Sequence, residues 1–170
     1  MIYLAIGRCE DNYEHQHRRA HTLLSSVLEA LGYVGVSVKK QEGSRPCVDE
    51  EGVDISVSHS GNAVAVAVLS PHEEHVEGCI VLPYNGRRIG IDIEKICEER
   101  DLEKSKRLAQ RFLNAKISSN EEFYRLWTRN EAYGKMTGEG VLSKNDIPCE
   151  ILTFTAEIEN IKYSLSISIE

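Results

Sequence analysis

Residues 89–94 read Ile-Gly-Ile-Asp-Ile-Glu. Side chains of a β-strand alternate between faces, so Ile89, Ile91 and Ile93 point into a core, and Asp92 and Glu94 sit side by side on the other face. A one-residue slip would bury the acids, so the face they occupy is well specified. Gly90 on that face reads as open space beside the two carboxylates. Further along, residues 127–135 read Trp-Thr-Arg-Asn-Glu-Ala-Tyr-Gly-Lys. Here Glu131 and Lys135 are four apart on a helix, stacked on one face with Trp127. Each piece has an ordinary explanation: solvent-facing acids on a strand, a core tryptophan, and a helical ion pair worth about 0.2–0.5 kcal/mol. Together, three carboxylates and one amine from two elements could converge on a divalent cation and a phosphate. Hard oxygen ligands of this kind suit Mg²⁺, which takes one or two carboxylates plus water and substrate phosphates.

The rest of the chain places these segments. Met1 to Ile6 reads as a short first strand, since no basic stretch precedes it as in a signal peptide. Ala20, Leu23, Leu24, Val27, Leu28 and Leu31 form one apolar stripe on a helix over about residues 12–31, with Gly32 at its end. Val34 to Lys39 reads as a strand, and Gln41 to Pro46 as a turn. Asp54 to Ser60 and Ala63 to Leu69 flank the turn signal Gly61-Asn62 and predict a hairpin. The small Ala63, Ala65 and Ala67 predict close packing on their side. Residues 70–79 read as an exposed loop. Ile80 to Leu82 and Arg88 to Glu94 are strands separated by the turn Pro83-Tyr84-Asn85-Gly86. Residues 101–113 are helical, with Leu102, Leu108, Ala109, Phe112 and Leu113 facing inward. Ser119 and Glu122 have the capping-box spacing and open the next helix, which ends at Gly138 and Gly140. In the tail, Tyr163 to Ile169 alternates apolar residues with Ser, the pattern of a strand solvated on one face. Read coarsely, the order is β-α-β-β-β followed by α-α-β-β, an α+β fold with antiparallel sheet. An internal duplication would have its junction near residue 95.

Composition excludes several classes. The 170 residues suit one domain with a real core. No apolar run approaches the roughly 20 residues that span a bilayer. The net charge of −7 argues against a general nucleic-acid binder. The five cysteines are odd in number and lack CxxC spacing, which predicts reduced thiols in a cytoplasmic protein. Ser58 and His59 are strand neighbours on opposite faces, a poor nucleophile–base pair. There is no GxSxG, HExxH, GxxxxGK[ST] or GxGxxG motif. Residues 104–116 contain Lys104, Lys106, Arg107, Arg111 and Lys116 without an acid. That segment reads as a solvated basic helix face.

Taken in order, the motifs resemble the 4′-phosphopantetheinyl transferase family, most closely its monomeric, two-lobed type. The matching residues are Gly43 with Arg45-Pro46-Cys47, Val57-Ser58-His59-Ser60-Gly61, and Ile89 to Glu94. They continue through Arg107 to Phe112, Phe123 to Trp127, Glu131-Ala132, Lys135 and Gly138-Glu139-Gly140, and the resemblance spans about residues 18–145. It implies two pseudo-symmetric lobes, about 1–95 and 96–170, each with a helix on a mainly antiparallel sheet. It also implies Mg²⁺-dependent transfer of the phosphopantetheine arm of coenzyme A to a serine of an apo acyl or peptidyl carrier protein, releasing adenosine 3′,5′-bisphosphate. By the same resemblance Asp92, Glu94 and Glu131 would hold Mg²⁺, and Glu131 would help deprotonate the serine. Lys135 would neutralise the pyrophosphate. Ser58 and His59 would contact the coenzyme's phosphates, Arg45 its adenylate end and Thr22 the nucleotide. Lys104, Lys106, Arg107 and Arg111 become a docking face for an acidic carrier. The sequence departs from the family at Asn130, where Lys is usual, and at the extra Ser44. Two rivals remain open at this point: a non-catalytic coenzyme A-binding homologue, and a Mg²⁺-dependent phosphoester or pyrophosphate hydrolase.

Overall fold

Strand alternation and helical stripes sort the chain into four stacked layers in the computed structural model, which describes residues 1–39, 45–84, 86–140 and 149–170. β1 (Ile2–Arg8) leads into α1 (Tyr13–Ala30), and four strands follow: β2 (Asp54–Ser60), β3 (Ala63–Leu69), β4 (Ile80–Leu82) and β5 (Ile89–Lys95). α2 (Leu102–Leu108) runs into a π-helical turn at Ala109–Leu113, followed by α3 (Asn120–Thr137), β6 (Glu150–Ile158) and β7 (Ile161–Ile169). One more strand stands before α2 than the coarse β-α-β-β-β reading gives. The strand expected over 34–39 is absent; Lys39 makes only an isolated backbone bridge to Cys47, and Val34 lies 81% exposed with no sheet to cover it. Of the expected turns, Gln41 to Ser44 and Asn85 lie outside the described residues, as does Gly43 of the family pattern.

Two antiparallel sheets carry the fold, one in the order β2-β3-β1-β4 and the other β5-β7-β6. The stretch β1-α1-β2-β3 places its third strand in the middle, and β5-α2-α3-β6-β7 repeats that arrangement. β5 hydrogen-bonds to β7 from Ile89↔Ile169 to Lys95↔Tyr163, so the chain changes sheets before β5.

The core sits between the sheets. Ile2 and Leu4 of β1, Ala63, Ala65 and Ala67 of β3, the three isoleucines of β5 and Leu165 and Ile167 of β7 form one buried cluster. The alanines leave room for the larger Ile and Leu side chains facing them. On the outer face of the first sheet, Leu24, Val27, Leu28 and Leu31 of the α1 stripe pack on Tyr3, Ala5, Val66 and Val68. Asn12 caps α1 by accepting from the His15 N–H at 2.9 Å, and Gly32 follows the helix at φ +88°.

The outer face of the second sheet is covered by α3, and this overturns the solvated reading of β7. Ser164, Ser166 and Ser168 are fully buried. Their small side chains let the helix come close, and their hydroxyls find partners. Thr128 Oγ1 lies 3.0 Å from Ser164 Oγ and 2.9 Å from Ser166 Oγ, while Ser168 Oγ lies 3.4 Å from Met136 Sδ. Gly90 is likewise not beside open space. A methyl group there would lie 2.0 Å from the Ala132 carbonyl oxygen, so the strand and helix backbones are in direct contact. Ser119 caps α3 by accepting from Glu122 N–H at 3.1 Å; the Glu122 carboxylate reaches back to Ser118 N–H at 2.7 Å, one residue short of a strict capping box. Gly138, at φ +82°, ends the helix.

Candidate functional site

β2 and β5 are the edge strands of the two sheets, and they lie side by side in parallel. Backbone ladder bonds are replaced here by side chains. Asp54 Oδ2 accepts from Ile89 N–H at 2.8 Å, Ser56 Oγ from Ile91 N–H at 3.0 Å, Ser58 Oγ from Ile93 N–H at 3.2 Å and Ser60 Oγ from Lys95 N–H at 3.1 Å. Every second residue of β2 thus satisfies every second amide of β5, and both sheet edges are protected. This seam holds the strand that carries the acids.

Asp92 and Glu94 extend from β5 toward the α3 side, as strand parity predicts. The Asp92 side chain is 5% exposed, and its Oδ1 accepts from Lys135 Nζ at 2.7 Å and from Ser58 Oγ at 2.9 Å. Its Oδ2 is buried without a hydrogen-bond partner among the described residues. Burial raises the Asp92 carboxyl above the ordinary carboxylate range, against the pull of Lys135, Ser58 and the Ile93 amide. Glu94 accepts from Ser60 Oγ at 2.8 Å, and burial plus the charges of Asp92 and Glu131 raise it too. Glu131 enters from α3, raised by burial and by Asp92, and lowered in part by Lys135. Asp92 thus acts on both Glu94 and Glu131, and Glu131 on Glu94, so β5 and α3 bring the acids within electrostatic reach of one another.

Lys135 comes from the same helix one turn beyond Glu131. The helical ion pair expected between them is replaced: the Lys135 amine pairs with Asp92 and also lies 2.8 Å from Ser58 Oγ. The β5 carboxylate is the more buried partner and gains more from a neutralising charge. Trp127, one turn before Glu131, packs on Phe123 and meets Phe112 edge-on. Asn130 is buried and donates to the Leu126 carbonyl at 3.0 Å.

Among the described residues, no group of three or more His, Cys, Asp or Glu side chains is disposed to hold a metal as it stands. Lys135 supplies one positive charge to the set. The donor chemistry nevertheless fits a hard divalent cation: the charge of Asp92 raises both Glu94 and Glu131, Glu131 raises Glu94 as well, and Asp92 Oδ2 is a buried acceptor without a donor among the described residues.

The other expected residues divide. His59 points away from the acids into a pocket of about 230 Å³ lined also by Tyr13, His17, Ala20, His21 and Pro46. Thr22 lines a separate shallow depression with Arg8, Arg18 and Arg19, and its hydroxyl bonds the Arg18 carbonyl at 3.0 Å. Arg45 is held at the start of the seam, donating to Asp54 Oδ2 and to the Ile89 carbonyl, each at 2.7 Å. Of the basic stretch, Lys104, Arg107 and Arg111 are exposed, while Lys106 is half-buried and pairs with Glu103 at 2.8 Å. Sequence reasoning missed Ser60, Ser56 and Asp54 as seam residues, and His17, His21 and Tyr13 as neighbours of His59. The polar alternation Asp54-Ser56-Ser58-Ser60 was the available signal for the seam.

The model of the 4′-phosphopantetheinyl transferase superfamily matches residues 88–164, a span that contains Asp92, Glu94, Glu131 and Lys135. The chain is 31% identical over 163 residues to the 4′-phosphopantetheinyl transferase HetI of Nostoc sp., covering 84% of this chain and 61% of that protein. It is 28% identical over 138 residues to a Haemophilus influenzae protein named, provisionally, for the same activity, covering 78% of this chain and 55% of that protein. The chain therefore spans somewhat over half the length of these relatives. The family match and these relatives point the same way: the chain is similar to 4′-phosphopantetheinyl transferases, and its residues 88–164 match the model of that superfamily.

Proposed function

We propose that this protein transfers the 4′-phosphopantetheine arm of coenzyme A to a serine of an apo carrier protein. The single observation that carries the reading is the convergence of Asp92, Glu94, Glu131 and Lys135 where the two sheets meet. In the transfer, the carrier serine Oγ forms a bond to the pantetheine-side phosphorus of the pyrophosphate. The bond from that phosphorus to the bridging oxygen breaks, and adenosine 3′,5′-bisphosphate leaves. Such a reaction needs positioning and charge neutralisation more than covalent chemistry from the protein. Asp92, Glu94 and Glu131 would hold Mg²⁺, which when bound would polarise the phosphoryl oxygens and offset their charge. Glu131 accepts the serine proton, directly or through a water; burial and the charge of Asp92 raise its carboxyl toward the range useful to a base. Lys135 offsets the charge that develops on the leaving bisphosphate.

Ser58 and His59 serve the coenzyme's phosphates, Arg45 its adenylate end and Thr22 the nucleotide. Lys104, Lys106, Arg107 and Arg111 form the docking face for an acidic carrier. The protein acts as a cytoplasmic monomer in this reading, consistent with five free cysteines. Among the described residues no helix is long and apolar enough to cross a membrane. The test is product analysis after incubation with coenzyme A and Mg²⁺, with and without an apo carrier. Adenosine 3′,5′-bisphosphate should appear only when the carrier is present. Its release without a carrier would favour the hydrolase, and coenzyme binding with no release under either condition would favour the non-catalytic homologue.

A further inference from the structure

The seam between β2 and β5 repeats one device. Ser58 Oγ accepts from Ile93 N–H at 3.2 Å and donates to Asp92 Oδ1 at 2.9 Å. Two residues on, Ser60 Oγ accepts from Lys95 N–H at 3.1 Å and donates to Glu94 Oε2 at 2.8 Å. A hydroxyl has one proton to give. An amide fixed in β5 occupies an acceptor site on the serine oxygen, and the serine's proton goes to the carboxylate one residue earlier. Each acid is therefore clamped by a serine that is itself anchored to the acid's own strand. Asp92 has a second restraint in Lys135, whereas Glu94 has only Ser60 among the hydrogen bonds and ion pairs of the described residues.

From this geometry we infer that Ser60 is a positioning residue: it holds the Glu94 carboxylate in the orientation in which it receives a divalent cation together with Asp92 and Glu131. The inference rests on the reading that these acids are metal ligands. A hydroxyl donated to a ligating carboxylate fixes its rotamer before the metal arrives, and losing such a partner typically costs about 10–100-fold in metal affinity. The small size of Ser also matters. A longer polar side chain would reach Glu94 only by leaving the Lys95 amide and parting the seam.

The test uses Mn²⁺ as the probe, with binding followed by electron paramagnetic resonance and competed by Mg²⁺. Ser60→Ala should weaken Mn²⁺ binding about tenfold or more. Ser60→Thr, which keeps the hydroxyl, should stay near wild type. Ser60→Cys fills the same volume with a weak donor, and provides the readout should the Ala variant not fold; it too should lose affinity. A merely structural role would lower the unfolding temperature of these variants while leaving the Mn²⁺ affinity of the folded fraction unchanged, and that result would overturn the inference. Absence of Mn²⁺ binding to the wild-type protein would instead refute the metal reading, and the positioning role with it.

Discussion

Gly90→Ala tests how α3 is set over the acids. The added methyl group would stand 2.0 Å from the Ala132 carbonyl oxygen, 2.6 Å from the Met136 backbone nitrogen and 2.9 Å from Met136 Cβ. Two of these are backbone atoms, so no side-chain rotation relieves the clash. Ordinary contact begins at 3.4 Å, so α3 must retreat by at least about 1.4 Å (3.4 minus 2.0), or the strand must yield by as much. Overpacking of this kind costs about 1–3 kcal/mol, and a clash with helix backbone belongs at the upper end. For a chain of 170 residues, about 3 kcal/mol lowers the unfolding temperature by roughly 6–12 °C. The same retreat carries Glu131 and Lys135 away from Asp92, and a displacement of about 1 Å at a reacting centre costs on the order of 100-fold in rate. Urea denaturation and a single-turnover transfer assay on the folded variant separate the two effects. Wild-type stability together with wild-type transfer would refute the claim that the glycine sets the distance between helix and acids.

Glu131→Gln should abolish transfer without loss of stability. The side chain takes no hydrogen bond among the described residues, and its charge repels Asp92; activity comparable to wild type would remove it from the chemistry. Thr128→Val leaves the buried Ser164 and Ser166 hydroxyls without their shared partner on α3 and should cost about 1–3 kcal/mol in urea denaturation. An unchanged midpoint would mean that these hydroxyls pair equally well elsewhere. Asp92, Glu94 and Glu131 all have raised carboxyls, chiefly through burial. The folded state therefore holds protons that the unfolded chain releases. The cluster's contribution to stability grows as pH falls through the raised values and is complete below the ordinary carboxylate range of about 4. Protons and a cation compete for the same oxygens, so the thermal stabilisation given by a fixed Mg²⁺ concentration should increase from about pH 5 to pH 8. A constant stabilisation across that range would contradict the assignment of the acids.

The strand pattern of residues 89–94 was legible because alternation is a local property: the isoleucines are buried and the acids share the face that α3 covers. The stripe of α1 and the hairpin of β2 and β3 were legible for the same reason. What covers a face is a tertiary matter, and there the reading failed. Ser164, Ser166 and Ser168 look solvated by composition, yet small residues are also what a closely packed helix requires. Gly90 carries the same ambiguity, since a missing side chain marks either open space or direct backbone contact. The seam was hidden because its bonds run from side chains of one strand to amides of another 35 positions away. Lys135 lay within local reach of Glu131 by helical spacing, and only the fold offered it the more buried Asp92. Val34 to Lys39 had strand-like composition but forms only the isolated bridge from Lys39 to Cys47.

The most direct test of the central claim is the intact mass of an apo carrier protein incubated with this protein, coenzyme A and Mg²⁺, beside a carrier whose acceptor serine is replaced by Ala. The account predicts one phosphopantetheine added to the first carrier and none to the second. Unmodified mass across a panel of acyl and peptidyl carriers, with the protein folded and coenzyme A bound, would contradict it.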